Sequence, residues 1–139
     1  MSPDVTLTAQ SQMGVGTNAS GGFAITVNGT PPAAGTRVIN APIAPTSSIQ
    51  GTNQFGINLV ANNSPSVGHD PEGPFANAFP SPGYDQPNEY KFVDGDTVAY
   101  STNVSLVKKF TVSYILNSAP DLHAGIYSTT ITFIASGRF

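Results

Sequence analysis

The sequence predicts an all-β protein: an antiparallel two-sheet β-sandwich of Ig-like, Greek-key type, with about seven to nine short strands and long Pro-rich loops. Three observations lead there. Apolar and hydroxyl side chains alternate with period two, the repeat of a strand whose neighbouring side chains point to opposite faces. No stretch sustains the spacing of an amphipathic helix. The alternating runs are short, and they are punctuated by the 14 glycines and 12 prolines of a 139-residue chain, residues that turn the backbone or withhold an amide from a ladder. A barrel or jelly roll would satisfy the same pattern. The length suits a single domain over 1–139.

Taken in order, the first predicted strand is 5–9, with Val5 and Leu7 inward and Ala9 at its end. The second is 23–27, with Phe23, Ile25 and Val27 inward. Residues 29–45, rich in Pro and Ala, read as a crossover between sheets. A third strand, 55–61, directs Phe55, Ile57 and Leu59 inward. Shorter candidates are 37–40, 48–50, 89–93 and 97–101, the last two separated by Asp94-Gly95-Asp96, a hairpin-type turn signal.

The clearest strands come last. Phe110, Val112, Tyr114 and Leu116 share a face, with Thr111 and Ser113 between them. Tyr127, Thr129, Ile131 and Phe133 repeat the scheme, with Ser128, Thr130 and Thr132 opposite. Pro120 and Gly125 in the link imply an antiparallel pair or a crossing between sheets. Ile115 and Ile134 interrupt the alternation, which predicts cover on both faces at those points. The segment 69–87 holds five prolines and two glycines, so neither helix nor central strand is expected in it. One long surface loop is expected, and structureless loops beyond roughly 12–15 residues are often functional.

Composition removes whole functional classes. Only 9% of residues are charged, against about 25% in an average domain, and Thr, Ser and Asn supply the missing polarity. That profile reads as extracellular. The absence of cysteine rules out a disulfide framework and a thiolate metal site. Five basic against eight acidic residues leave no electrostatic footprint for nucleic acid. No run approaches the roughly 18 apolar residues of a membrane helix, so no membrane insertion by this segment is expected. Met1-Ser2-Pro3-Asp4 has neither the basic nor the apolar region of a signal peptide; an exported form is expected to have lost its signal.

Few residues invite chemistry. His69 and His123 are the candidate bases for a hydroxyl nucleophile, but each sits in turn-like sequence and no Gly-x-Ser-x-Gly elbow is present. Glu72, Glu89 and six Asp could pair for glycoside hydrolysis, yet a Trp-lined cleft is impossible without Trp. No catalytic residue and no cofactor are therefore expected. Asp94 and Asp96, or Asp70 and Glu72, are oxygen ligands of the kind calcium takes, although neither pair has EF-hand spacing and turn carboxylates commonly cap backbone amides. Phe75, Phe79 and Tyr84, with Tyr90 just beyond, form either a stacking or docking patch or a lid over the core. Asn18, Asn28, Asn62 and Asn103 fit the glycosylation pattern. Lys91, Lys108 and Lys109 permit an intramolecular isopeptide bond without indicating one.

Longer blocks carry a resemblance. Asn18-Ala-Ser-Gly-Gly-Phe-Ala-Ile-Thr-Val27, Phe55-Gly-Ile-Asn-Leu-Val-Ala-Asn62, Ser66-Val-Gly-His-Asp-Pro71, Tyr90-Lys-Phe-Val-Asp-Gly-Asp-Thr-Val-Ala99, Phe110-Thr-Val-Ser-Tyr-Ile-Leu-Asn117 and the ending from Ala124 to Phe139 cover most of the chain. Together they resemble secreted β-domain proteins of candidate-phyla-radiation bacteria (Patescibacteria, including Saccharibacteria). More distantly, Ala124-Gly-Ile-Tyr127 before alternating Thr and apolar residues is similar to the final hairpin of WxL cell-wall-binding domains. Those are named for Trp-x-Leu, and this chain has no Trp, so wall binding transfers to no residue here.

The resemblance implies a bacterial, secreted, surface-exposed protein. The expected function is a non-catalytic structural or adhesive module, partnered by other surface proteins, the cell wall or host-cell glycans. One alternative is a fibre or pilus subunit in which Val5, Leu7 and Ala9 complete a neighbour's sheet. Another is a carbohydrate- or peptidoglycan-binding module that uses the loop aromatics.

Overall fold

The structure, a computed structural model, describes residues 1–73 and 77–139. Among these residues there is no helix, and the strands form several antiparallel sheets. In chain order they are β1 (Leu7–Thr17), β2 (Phe23–Gly29), β3 (Ala33–Ala34), β4 (Arg37–Val38), β5 (Thr46–Ser47), β6 (Gln54–Asn58), β7 (Asn62–Asn63), β8 (Ser66–Val67), β9 (Ala78–Pro80), β10 (Glu89–Tyr90), β11 (Thr97–Ser101), β12 (Ser105–Asn117) and β13 (Ile131–Gly137). The count exceeds the expected number because loops pair locally in two-residue pieces: β3 with β4, β7 with β8, and β5 with β10.

Two larger sheets carry the fold. One has the order β1-β12-β6 and the other β13-β2-β11-β9. A single apolar cluster joins them, because the period-two pattern gives each strand one greasy face. Phe23, Ile25 and Val27 of β2 and Val98 of β11 meet Phe55 and Ile57 of β6 and Phe110 and Val112 of β12. Leu59, Tyr84 and Phe92 extend the cluster, and Phe55 stands edge-on to Phe92 at 5.4 Å.

Several expectations change. The first strand begins at Leu7 and runs to Thr17, and Val5 lies outside it and exposed. Residues 10–17 escaped notice because Gln, Ser and Gly occupy most of them; they hold strand geometry through the β12 ladder, from Leu7 opposite Leu116 to Thr17 opposite Ser105. The final strand starts at Ile131, so Tyr127 and Thr129 precede it. β12 and β13 are not paired: the chain crosses from one sheet to the other between them. The Asp94-Gly95-Asp96 turn forms, with Gly95 at φ 85°. It does not close a hairpin, since β10 pairs with β5 and β11 with β2 and β9. Residues 48–50 are not a strand; β5 lies just before them.

The hydroxyl face of β12 is the largest departure. Thr111 and Ser113 alternate with the core residues as expected, yet both are buried, as is Asn117 at the end of the strand. Loops lie over that side of the sheet. Ile115 is covered on the same side, whereas Ile134 is 48% exposed and has no second cover. The hydroxyl side that faces water lies on β13, where Thr132 and Ser136 are exposed.

Candidate functional site

Two side-chain clusters hold the loops in place. The first centres on Asn62, at the start of β7 and buried. Its amide nitrogen lies 2.9 Å from Asn58 Oδ1, 2.9 Å from the Val60 carbonyl, 3.0 Å from that of Val67 and 3.2 Å from Ser113 Oγ. Its carbonyl oxygen accepts from Asn58 Nδ2 at 2.6 Å and from the Asn88 amide at 2.8 Å. Asn58 Nδ2 also reaches the Glu89 carbonyl at 3.0 Å. Amide side chains suit this position, because each presents donors and acceptors at once and carries no charge to desolvate. Gly68 belongs to the same cluster: at φ 87° it occupies the left-handed region, and a Cβ there would collide with Ser113 Oγ. A parallel set, Asn117 Nδ2 to Gln54 Oε1 at 2.9 Å and to Ser48 Oγ at 3.0 Å, fastens the other end of β12.

The second cluster ties the segment 69–87 to the four-stranded sheet. The Tyr84 hydroxyl donates to Asp96 Oδ2 at 2.8 Å. Lys91 Nζ lies 3.3 Å from the same oxygen and 4.7 Å from the centroid of the Tyr84 ring. Burial, and then the Asp96 bond, hold the Tyr84 phenol above its ordinary value. Asp94 accepts from the Gly29 amide at 2.9 Å. Both turn carboxylates are thus engaged by the protein itself. Among the described residues no three His, Cys, Asp or Glu converge as a metal site would require.

Among the described residues, the aromatics read as either a docking patch or a lid do not form one exposed group. Phe75 lies outside the described residues. Tyr84 and Tyr90 are buried, so neither offers surface to a partner. The reason is local packing: Tyr90 fills the space over Gly56, where a Cβ would come within 2.7 Å of its own Cβ. Phe79 is exposed, on β9, and leans on Tyr100 at 6.0 Å. The loop 69–87 is therefore not wholly irregular, since β9 adds an edge to β11. Leu7 and Ala9 pair within the chain's own sheet, opposite Leu116 and Tyr114. His69 and His123 are exposed on loops, 54 positions apart in sequence.

Among the candidate glycan acceptors, Asn62 is buried and committed to its cluster, while Asn18 and Asn103 are exposed. Of the lysines, Lys91 pairs with Asp96, Lys109 lies 3.3 Å from Glu72, and Lys108 is buried.

No protein family, curated protein or solved structure matches this chain.

One surface feature went unread in the sequence. Val104, Leu106 and Val107 are all exposed where β11 turns into β12, and Gly14 and Gly16 of β1 leave Val107 uncovered. The signal was present: Leu106 and Val107 are adjacent apolar residues before Lys108-Lys109, and adjacency in a strand sends one of them to each face.

Tyr90 supplies a prediction of its own. Its hydroxyl is buried without a partner, and burial pushes its pKa up to about 12. Tyr90→Phe removes an unsatisfied group and is expected to leave stability unchanged or raise it by about 1 kcal/mol. Tyr84→Phe, which deletes a half-open bond to a carboxylate, is expected to lower it by about 1 kcal/mol. In the unfolded chain both phenols titrate near the ordinary value of about 10. Stability is therefore full below about pH 10 and falls as pH climbs through about 12 at Tyr90, and Tyr84 acts in the same direction. Urea unfolding of both variants at neutral and alkaline pH reads these signs; equal losses from the two substitutions would contradict the assignment.

Proposed function

We propose that the chain is a non-catalytic, secreted module of a bacterial cell surface, structural or adhesive in role, built as a two-layer β-sandwich. The apolar cluster shared by the β1-β12-β6 and β13-β2-β11-β9 sheets supports the layering. One observation carries the functional reading: the exposed surface of β1 and β13 presents amides, hydroxyls and apolar groups in place of ions. Thr8, Gln10 and Gln12 of β1 and Thr132 and Ser136 of β13 face water, and Val104, Leu106 and Val107 expose apolar side chains at one end. Such a surface binds through shape and hydrogen bonds and is little affected by salt. Other surface proteins, wall polymers or host glycans are the partners it suits.

The test has two arms. On intact producing cells, an antibody to this chain should give a signal that externally added protease removes; a chain found only in the lysed soluble fraction would overturn the reading. The double substitution Leu106→Ser with Val107→Ser should reduce attachment to purified cell envelopes at least several-fold. Exposed substitutions of this kind shift stability by only about 0.5 kcal/mol, so unchanged attachment by a folded variant would dismiss the apolar end as the contact.

A further inference from the structure

The sheet edges of this protein are treated unequally. The outer edge of β6 is occupied by loops: the Phe55 amide bonds the Asn40 carbonyl at 2.8 Å, Ile57 exchanges bonds with Lys91, and the Leu59 amide reaches the Tyr84 carbonyl at 2.9 Å. β9, the edge of the other sheet, is three residues long and ends in Pro80, which has no amide to offer. β1 has neither protection. It runs eleven residues, LTAQSQMGVGT, without a charge or a proline. Among the described residues, no backbone bond from 7–17 goes anywhere but to β12.

We propose that the free edge of β1 pairs antiparallel with β1 of a second copy of this chain, about a two-fold axis at Gln12. Alternate residues of an edge strand direct their amide and carbonyl outward, so two identical antiparallel edges pair only in registers that set one residue opposite itself. The fullest overlap of Leu7–Thr17 with its copy puts Gln12 on that axis. Ala9 then faces Val15, Ser11 faces Met13 and Leu7 faces Thr17 on one side, each pairing a smaller residue with a larger one. On the other side Thr8 faces Gly16, Gln10 faces Gly14, and the two Gln12 amides meet reciprocally. A copy of this edge encounters no like charge, which is what a self-complementary contact requires.

β13 widens the contact. It is also uncharged and free of proline, and its end lies beside the end of β1, where a Cβ on Gly137 would sit 3.7 Å from Thr17 Oγ1. Eleven residues span about 37 Å, and two edges side by side are about 20 Å wide. With β13 only seven residues long, such a face would bury on the order of 1,200 Å² over both copies, at the lower end of the range of stable specific interfaces. The inference concerns the strand edge alone and holds wherever the protein works.

Sedimentation velocity of the chain from micromolar to millimolar concentration tests it, alongside Gln12→Lys and Gln12→Glu. Gln12 is exposed, so both variants should melt as the parent does under dilute conditions. The parent should show reversible dimerisation. Each variant alone should dimerise at least tenfold more weakly, and an equimolar mixture of the two should restore the dimer, since opposite charges then meet on the axis. A parent that stays monomeric at millimolar concentration, variants that dimerise as the parent does, or a mixture that fails to associate would each overturn the proposal.

Discussion

Replacing Asn62 by alanine is expected to lower the free energy of unfolding by about 3 kcal/mol, a large share of the roughly 5–15 kcal/mol typical of a domain. The size follows from what is left behind. Asn58 loses its reciprocal amide partner, the Asn88 amide loses its acceptor, and the Val67 carbonyl and Ser113 hydroxyl lose a donor. Each buried group left unpaired costs about 1–3 kcal/mol, and the losses do not simply add because neighbours relax. Asn62→Asp is expected to be no milder, although it preserves shape: the carboxylate turns an acceptor toward the Val60 and Val67 carbonyls that now receive a donor. Urea unfolding measures both variants. Limited proteolysis should show faster cleavage within 59–70, the loop that this amide fastens over β12. A loss below about 1 kcal/mol for Asn62→Ala would mean that water, and not the amide, satisfies that cluster.

Phe110→Ala is the second large effect, about 3–5 kcal/mol. Phe110 is fully buried, lies opposite Met13 in the β1–β12 ladder, and belongs to the apolar cluster that both larger sheets share. Its removal opens a cavity where strands hydrogen-bonded to their neighbours have little freedom to collapse. Ile134→Ala serves as the contrast. Ile134 also sits mid-strand but is nearly half exposed, so its truncation is expected to cost under about 1 kcal/mol. Equivalent losses at the two positions would mean that the inward assignment of Phe110 is wrong.

The contrast between these residues shows what the sequence made legible. Alternation correctly set Phe23, Ile25 and Val27, then Phe55, Ile57 and Leu59, and then Phe110 and Val112 toward one core, because an apolar face has to be hidden whatever the loops do. Hydroxyl residues are under no such compulsion. Thr111 and Ser113 are compatible with water or with a buried partner, and only the fold brings Asn62 and Val60 over Ser113. β1 was half missed for a related reason: Gln, Ser and Gly have little strand preference of their own, and residues 10–17 are extended because β12 gives their backbone a ladder. Cross-strand contacts between residues 103 positions apart, such as Ser11 and Tyr114, whose hydroxyls lie 2.8 Å apart, leave no local trace. The site residues were least legible. Tyr84 and Tyr90 look alike in a Pro-rich context, and burial, which decides whether they can touch a partner, depends on where Gly56 and Asp96 come to lie.

Amide hydrogen exchange, residue by residue in dilute solution, tests the central claim most directly: a sheet organised around β12 that ends at a bare β1 edge. Amides of 113–116, in the part of β12 flanked by both β1 and β6, should be among the slowest in the protein. Along Leu7–Thr17, slow and fast amides should alternate, the fast ones directed away from β12, and the fast set should gain protection as concentration rises. Uniform protection of β1 in dilute solution, or rapid exchange across 113–116, would contradict the account.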